Sequence, residues 1–403
     1  MHKRILIPLV TIFLLIGTAP AYADVTLSIN GKSYSPLTPA YLENGVTMIG
    51  LDYVSRVIGG TVLIEGNLCV LSKNNIKLDL MAGQTTAKLN GKTYNLAAAP
   101  KIVDEEVMVP LRSVMEALGV EVEWQPQTRT VAVTYLETRK GMTPKEVMLK
   151  SNQVLTEHNT YKIKAEFNDK TDLGIPDQSL KEFRVLDLAV QRNPVLAHAK
   201  TSVLIEDLSP HPETSSSEPI INEHVITDES EFYTLPEGWV KKDTSGKDSQ
   251  ALLEAFLQAY EPVKEIERLC DAGAIISFAD DCTIDGQECW TVRVVSEHGR
   301  EKFNDQQQAT SEYIRCTSVV YDLYINQSSF ELLSIKLERT SLSLLPETGI
   351  QTKTETTGYY YIYDLDQPVT VPNVSNYISW DDYRQNILVP EVPNDIKEML
   401  STD

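Results

Sequence analysis

The chain has 403 residues, which is enough for two or three domains with well-filled cores. Its content of 42% hydrophobic and 23% charged residues is that of a folded protein and not of a disordered one. The formal net charge at pH 7 is -21, because 57 Asp and Glu outnumber 36 Lys and Arg. This charge disfavours nucleic acid and anionic lipid surfaces as partners, so we expect no nucleic-acid ligand.

The first 23 residues have the pattern of a secretory signal peptide. His2-Lys3-Arg4 is basic, Ile5–Ile16 is apolar but too short to span a bilayer, and Ala21-Tyr22-Ala23 is a small-x-small cleavage site. No later apolar run is long enough for a transmembrane helix. We therefore expect a secreted protein of the extracytoplasmic cell envelope that has no transmembrane segment.

Residues 24–136 contain an internal repeat with a constant shift of 60 residues. Each copy predicts a hairpin at an Asn-Gly turn, a short helix that ends at a glycine, and a closing hairpin. Neither copy has enough apolar surface to fold alone, so we expect the two copies to share one core. The matched positions are Ile29-Asn30-Gly31-Lys32 with Leu89-Asn90-Gly91-Lys92, Tyr34 with Tyr94, Met48 with Met108, Leu51 with Leu111, Val54 with Val114 and Gly59 with Gly119.

The second copy contains LNGK, followed by VMVPLRSVMEALGVEVEWQPQTRTVAV. This pattern resembles the copper amine oxidase N-terminal domain, also called the stalk domain, over about residues 24–136. The resemblance implies a β-rich appendage of secreted or wall-associated bacterial proteins. It implies neither copper nor oxidase activity, because that chemistry needs three His ligands and a Tyr in an Asn-Tyr-Asp/Glu setting. Here Asn376-Tyr377 is followed by Ile378.

Residues 137–142 predict a polar linker, and residues 143–403 predict a second domain. Thr143, Pro144 and Glu146 form the capping-box pattern of a helix N-terminus. A second helix is predicted over Asp248–Leu269. Period-two alternation at Tyr161, Ile163, Ala165 and Phe167 predicts a half-buried antiparallel strand. Tyr359, Tyr361 and Tyr363 predict a last strand. A C-terminal strap that packs on the sheet is predicted from Trp380, Tyr383, Leu388 and Val389.

Four segments of the second domain resemble bacterial envelope domains related to the LolA and LppX carriers of lipids and lipoproteins. They are MTPKEVMLKSNQVLTEHNTYKIKAEF, FYTLPEGWVKK, TIDGQECWTVRVV and YDLDQPVTVPNVS, and the resemblance covers about residues 143–373. It implies a curved antiparallel sheet, an open half-barrel, closed by helices over an apolar cavity. The fold class is then α+β, with a small duplicated β-rich domain before the half-barrel.

The resemblance makes alternating apolar residues of the second domain candidates for the wall of a ligand cavity. By itself, alternation favours a plain hydrophobic core, which is its usual meaning. The candidate ligand-binding residues are Ile163, Phe167, Leu323, Ile335, Leu337 and Tyr361.

The cysteines suggest disulfides, which are permitted outside the cytoplasm. A two-residue turn at Asp285-Gly286 sets Cys282 opposite Cys289, and opposed Cα atoms roughly 4.5–5.5 Å apart can be bridged. We hypothesise a Cys282–Cys289 disulfide, which leaves Cys270 and Cys316 as a second pair. Three pairings of four cysteines are possible, and the alternative is that all four stay reduced and buried.

No catalytic motif accompanies these features. The sequence has no H-E-x-x-H, no G-x-S-x-G and no phosphate-binding loop, so we expect no enzyme activity, no cofactor and no metal. Two functions remain open. The protein binds an apolar ligand such as a lipid or a lipoprotein acyl chain, or it is an envelope scaffold or protein-interaction module without a ligand cavity. A metal site could arise only through folding, from His158, His198, His211, His224 and His298.

Overall fold

A computed structural model describes residues 25–34, 36, 38–103, 106–210, 215–236, 238–304, 312–345 and 349–384. Within these ranges, the side chains of residues 298–304 and 312–316 are not described. The predicted signal peptide, and Leu388 and Val389 of the predicted strap, lie outside the described residues.

The duplicated domain is built from short strands and two short helices. The helices are α1 (Leu51–Ile58) and α2 (Leu111–Ala117). The strands are β1 (Thr26–Ile29), β2 (Lys32–Tyr34), β3 (Tyr41–Glu43), β4 (Val46–Gly50), β5 (Thr61–Glu65), β6 (Leu68–Lys73), β7 (Ile76–Met81), β8 (Thr86–Leu89), β9 (Lys92–Asn95), β10 (Lys101–Val103), β11 (Glu106–Pro110), β12 (Glu121–Gln125) and β13 (Thr130–Thr134).

The two copies of the repeat exchange strands. The closing hairpin of copy two, β12–β13, belongs to the same sheet as the opening strand of copy one. In that sheet β13 and β1 are neighbours and run parallel. The closing hairpin of copy one continues through β7 into β8–β9, which open copy two. Strands β4 and β11 pair in the middle, with Ile49 opposite Val109. One hydrophobic core therefore contains both copies, as the sequence predicted.

The second domain contains four helices and a large sheet. The helices are α3 (Pro144–Glu157), α4 (Ser249–Tyr260), α5 (Pro262–Asp271) and α6 (Trp380–Tyr383). The strands are β14 (Thr160–Asp172), β15 (Ser179–Gln191), β16 (Leu196–Asp207), β17 (Ile220–Thr227), β18 (Ser230–Leu235), β19 (Gly238–Asp243), β20 (Ile275–Ile284), β21 (Gln287–Asn304), β22 (Glu312–Asn326), β23 (Leu332–Leu345), β24 (Ile350–Tyr363) and β25 (Ile378–Ser379).

These strands form one 12-stranded half-barrel in the order β20-β21-β22-β23-β24-β14-β15-β16-β17-β18-β19-β25. All neighbours are antiparallel except β19 and β25, which are parallel. The combination of helices with largely antiparallel sheets is the predicted α+β class. The capping box of α3 is confirmed, because the Glu146 amide donates to Thr143 Oγ1 at 3.2 Å and the Thr143 amide donates to Glu146 Oε2 at 2.7 Å.

One helix prediction was wrong. The single helix predicted over Asp248–Leu269 is two helices, α4 and α5, which meet at Glu261. Pro262 lacks the N–H that would continue the hydrogen-bond ladder of α4, so the chain turns and a new helix begins there. The break matters because it lets α4 and α5 follow the curved sheet as separate segments.

The two faces of the sheet pack against different parts of the molecule. We call the face that packs against α3, α4 and α5 the inner face, and its residues form the main core of the second domain. The outer face of β20–β22 packs against the duplicated domain, so Ile275, Val295 and Val320 belong to the core of that domain. The two predicted domains thus share a buried interface through this end of the sheet.

Candidate functional site

Five of the six predicted wall residues lie in a packed core. Ile163, Leu323 and Ile335 are fully buried, and Phe167 and Leu337 are nearly so. All five face the inner side and belong to one cluster with residues of α3, α4 and α5. None of the pockets described below is lined by them. At these positions the alternation reflects a filled core, and a ligand among them remains a prediction.

The sixth residue, Tyr361, was assigned to the wrong face. Strand β24 pairs with β14 so that Gly358 lies opposite Phe167 and Tyr360 lies opposite Ala165. Even-numbered residues of β24 therefore point inward, and Tyr360 is 6% exposed. Tyr361 points outward and is 47% exposed. It cannot line a cavity on the inner face.

Two glutamates of the helical layer are hydrogen-bonded to tyrosines of the inner face. Tyr161 donates to Glu261 Oε1 at 2.6 Å, at the junction of α4 and α5. Tyr321 donates to Glu265 Oε2 at 2.6 Å. Burial raises the pKa of Glu261, although the hydrogen bond from Tyr161 acts in the opposite direction. These bonds hold the helices over the core and satisfy polar atoms that would otherwise be buried without a partner.

The predicted hairpin register of the cysteines is confirmed, but the disulfide is not formed. Cys282 lies directly opposite Cys289 in the β20–β21 hairpin, and both are free thiols. Burial raises the pKa of both thiols, which favours the protonated form over the reactive thiolate. Cys270 is also a free thiol, with its Sγ 3.9 Å from Met148 Sδ. The side chain of Cys316 is not described, so the second predicted pair is not tested.

The histidines are scattered. His158 Nδ1 lies 2.8 Å from Asp366 Oδ2, and His198 Nε2 lies 2.8 Å from Glu223 Oε2. His224 is buried in a different environment, described next. His211 and the side chain of His298 are outside the described part of the chain. Within that part, no group of three or more His, Cys, Asp and Glu side chains is arranged to hold a metal ion.

A pocket of about 290 Å³ lies where the sheet extends past the helices, next to the C-terminal end of α4. We call it the aromatic pocket, because rings from three separate parts of the chain form it. Its lining residues are Asn222, Glu223, His224, Tyr233, Thr234, Leu235, Lys242, Tyr260 and Trp380.

The fold brings these rings together by strand pairing and helix placement. His224 of β17 pairs with Tyr233 of β18, and the two rings stack with centroids 4.3 Å apart. The last residue of α4, Tyr260, places its ring 5.7 Å from that of His224. Trp380 arrives from α6, which follows the short parallel strand β25. Aromatic side chains supply a large apolar contact area for a ligand.

One residue of the pocket, His224, has a buried polar atom without a partner. His224 is 9% exposed, and its Nε2 has no hydrogen-bond partner within the described part of the chain. Burial lowers the pKa of His224 to about 4, although the nearby Glu231 carboxylate acts to raise it. The imidazole is therefore neutral at physiological pH. Because Nε2 exposes less than 1 Å², the ring contributes an apolar surface to the pocket rather than this nitrogen.

The charged groups around the pocket are already paired. Lys242 Nζ lies 2.7 Å from Glu231 Oε2, and Glu231 is 8% exposed. Glu223 is paired with His198. Each of these four side chains therefore has an oppositely charged or hydrogen-bonding partner, and the remaining lining of the pocket is aromatic, apolar or neutral and polar.

Three other pockets are less suited to an apolar ligand or less clearly built. A depression of about 880 Å³ lies at the far end of the sheet and is lined mainly by charged and loop residues. A pocket of about 310 Å³ lies between the two domains and includes Cys270 and Ser277. A third, of about 210 Å³, lies within the duplicated domain. The aromatic pocket alone among these four continues the inner face of the half-barrel.

The sequence did not reveal the aromatic pocket, because its residues come from β17, β18, β19, the end of α4 and the start of α6, and only the fold brings these elements together. Two segments that the sequence analysis singled out do contribute residues to the pocket. The FYTLPEGWVKK segment contributes Tyr233 and Lys242, and the predicted strap contributes Trp380. His224 was considered only as a metal ligand or a surface residue. Its burial depends on α4, whose position over β17 is a tertiary feature.

Residues 28–133 match the family model of the copper amine oxidase N-terminal domain. The match covers both copies of the repeat and confirms the resemblance found in the sequence. It concerns about a quarter of the chain, so it identifies the duplicated domain and not the whole protein. A comparison with curated proteins finds no match to this sequence.

Solved structures resemble the chain only distantly. LprF from Mycobacterium bovis is 10% identical, with 57% of this chain and 96% of that chain covered and a TM-score of 0.29. A DUF1329 family protein from Desulfovibrio piger is 11% identical, with 60% and 95% covered and a TM-score of 0.18. Lipovitellin is 10% identical, with 54% and 26% covered and a TM-score of 0.22. At these TM-scores the likenesses carry no argument about function.

Among the described helices, none is both long enough and apolar enough to cross a membrane.

Proposed function

We propose that this protein works outside the cytoplasm as a non-catalytic binding protein of the cell envelope, and that its second domain binds an apolar ligand in the aromatic pocket. The observation that carries the proposal is a largely apolar pocket on the half-barrel, lined by the rings of His224, Tyr233, Tyr260 and Trp380. Ligand sites are typically concave and apolar, with few convergent polar groups. The predicted signal peptide supports the location.

The duplicated domain fits this proposal as a structural partner of the half-barrel. Its helix α1 lies against β20 and β21 on the outer face, opposite the helical layer. Arg293 of β21 donates to the Gly60 carbonyl at 2.8 Å and is paired with Asp322 of β22 at 2.7 Å. The sheet is thus braced on both faces at one edge, and the aromatic pocket lies toward the other edge, at β17–β19.

An envelope scaffold or protein-interaction module is the second candidate function. It is favoured by the five predicted wall residues, which are buried in one core cluster with residues of the helices. The two candidates differ in one property, namely whether a molecule occupies the aromatic pocket.

The experiment is native mass spectrometry of the protein purified gently from its own host, with a solvent extract analysed for lipids. The key variant is Trp380→Ala, which removes one wall of the aromatic pocket. The matched control is Tyr361→Ala, which removes an aromatic ring from the outer face of the same sheet. We expect a stoichiometric adduct in the wild type and in the control, and a weakened or absent adduct in Trp380→Ala.

Two results would count against the proposal in different ways. An adduct that survives Trp380→Ala but is lost in Leu323→Ala would move the ligand to the core beneath the helices. A clean apo mass, with no uptake of added lipid by the wild type, would reject ligand binding and favour the scaffold function.

A further inference from the structure

The first strands of the two closing hairpins differ in what they expose. Strand β5 lies at the end of the five-stranded sheet, and its equivalent in copy two, β12, lies at the end of a four-stranded sheet. The constant shift of 60 residues makes Leu63 of β5 the equivalent of Glu123 of β12. In β5, Leu63 is 56% exposed and Ile64 is 50% exposed. The repeat thus has two edge strands of the same origin, and the one in copy one is apolar.

Strand β12 has the charges that usually protect a free strand edge, whereas β5 lacks them. Glu121 and Glu123 of β12 are both exposed. Their equivalents in β5 are Thr61 and Leu63, and the one charged residue of β5 is Glu65 at its end. Charged side chains on an edge strand discourage pairing with another chain, and an exposed apolar edge favours it. Copy one therefore presents an open edge where copy two presents a protected one.

Apolar side chains lie on both faces of β5. Leu63 pairs with Val70 of β6, and Ile64 pairs with Cys69, which is fully buried. Successive residues of a strand point to opposite faces, so Ile64 lies on the side of the core and Leu63 on the other side. In the described part of the chain, β6 is the only strand that pairs with β5. A strand added along the free edge would cover both exposed side chains.

Size and charge favour an extended segment of a partner protein over a second copy of this chain. The edge is five residues long, too short for the roughly 1,200 Å² that a stable interface buries. Two copies would also repel each other, because each has a formal net charge of -21. A peptide that adds as a strand gains affinity from main-chain hydrogen bonds and needs only a short edge. The acidic chain attracts a basic segment.

We propose that β5 is a docking edge for an extended segment of a partner protein that has apolar side chains and a net positive charge. The segment adds to the five-stranded sheet as a further strand beside β5. Its apolar side chains cover Leu63 and Ile64, and a basic side chain lies near Glu65. This site belongs to the duplicated domain and does not depend on a ligand in the aromatic pocket.

Three labelled peptides test the proposal on the mature protein, residues 24–403. They are acetyl-KTVIVTK-amide, its acidic counterpart acetyl-ETVIVTE-amide, and acetyl-KTPIPTK-amide. Binding is measured by fluorescence anisotropy at pH 7.5, in about 50 mM and about 150 mM salt. We expect the basic peptide to bind at least about tenfold more tightly than the acidic one, with a smaller difference at the higher salt concentration. The proline peptide should not bind, because proline cannot donate a ladder hydrogen bond.

A pair of variants with the same change in charge tests the position of the site. Leu63→Lys places a cation on the free edge of β5, and we expect the basic peptide to bind at least about tenfold more weakly. The matched control is Ile102→Lys, which replaces an apolar residue that is 51% exposed on another edge strand of the same domain, β10. This control should change the affinity less than about twofold, because distant exposed charges are largely screened.

Hydrogen exchange locates the bound peptide without any substitution. We expect the basic peptide to slow the exchange of backbone amides in residues 61–65, because the free edge of β5 gains hydrogen bonds. The equivalent residues 121–125 should exchange as they do in the free protein. This measurement remains decisive if a variant does not fold.

Four results would overturn the proposal. They are equal binding of the three peptides, affinity for the basic peptide that Leu63→Lys leaves unchanged, slower exchange confined to another strand, and absence of binding by the basic peptide. A dimer of the unaltered protein in analytical ultracentrifugation that Leu63→Lys dissociates would also overturn it, and would assign the edge to a second copy of the chain.

Discussion

Helices α1 and α2 occupy equivalent positions in the two copies of the repeat, yet their surroundings differ. Helix α1 packs against β20 and β21 of the half-barrel, whereas α2 contacts elements of its own domain. Both helices are followed by a glycine with positive φ, at Gly59 and Gly119. The same local sequence pattern therefore builds the same local structure twice, while only copy one also forms the junction between the domains.

Replacing the glycine after each helix with alanine should give the largest difference in stability between the two copies. A Cβ on Gly59 would lie 2.1 Å from the carbonyl oxygen of Phe278, whereas a Cβ on Gly119 would meet nothing within 4 Å. Both Ala variants incur the left-handed backbone penalty of roughly 1–2 kcal/mol. Gly59→Ala must also displace strand β20, so we expect a total loss of roughly 3–5 kcal/mol in the free energy of unfolding. Urea unfolding of both variants measures this.

Equal losses of unfolding free energy in the two glycine variants would contradict the expected difference between the copies. They would mean that α1 does not approach β20 as closely as the structure shows, or that the junction adjusts without cost.

Replacing the arginine of each helix with methionine should give a difference in stability of intermediate size. Arg56 of α1 lies 2.7 Å from Glu297, whose side chain is 2% exposed, and 2.6 Å from Ser318 Oγ. Arg56→Met removes this ion pair from a buried carboxylate, which we expect to reduce stability by about 3 kcal/mol. The matched control is Arg112→Met in α2, where the pair with Glu116 is 4.0 Å apart and exposed.

We expect Arg112→Met to change stability by less than about 1 kcal/mol, as is usual for exposed ion pairs. Thermal or urea unfolding of both variants provides the measurement. A loss in Arg112→Met as large as that in Arg56→Met would show that burial at the junction does not distinguish the two copies.

Replacing the tyrosines at equivalent positions with phenylalanine should give the smallest difference in stability. Tyr34 donates to the Gly273 carbonyl in the second domain at 2.5 Å, whereas Tyr94 donates to the Ser113 carbonyl in its own domain at 2.9 Å. Each Phe variant should lose about 1 kcal/mol, the usual value of one hydrogen bond. At neutral pH the two variants should therefore look alike.

Alkaline pH sharpens the test of Tyr34. Burial raises the pKa of Tyr34 to about 12, above its usual value of 10. Between pH 10 and 12 the unfolded phenol loses its proton while the folded one keeps it, so this group makes the wild type less stable as pH rises. The stability gap between wild type and Tyr34→Phe should shrink by about 1 kcal/mol from pH 8 to pH 11. A gap that stays constant over this pH range would show that Tyr34 is not buried at the junction.

Much of the local structure could be predicted from the sequence. The two Asn-Gly hairpins formed because Asn30 and Asn90 adopt positive φ, as the turn requires. The helix start at Thr143 and the hairpin register at Cys282 and Cys289 were also predictable, because each depends on residues close together in the chain.

The face of strand β24 could not be predicted, and the reason lies in its sequence. Residues 359–363 read Tyr-Tyr-Tyr-Ile-Tyr, so both faces of the strand are apolar and no period-two signal distinguishes them. Only the pairing with β14, which sets Tyr360 opposite Ala165, decides that Tyr361 points outward. The predicted strand was therefore right and the predicted ligand-facing side was wrong.

The sequence by itself determined the repeat, the β-rich character of both domains, the capping box and the alternation of the long strands, because these follow from spacing along the chain. The tertiary structure decided which part of the inner face is covered. The chain turns at Glu261 and Pro262, and residues of α4 and α5 join Ile163 and Leu323 in one buried cluster. The tertiary structure also decided that His224 and Trp380 line the same pocket, because residues far apart in sequence come together only when the chain folds.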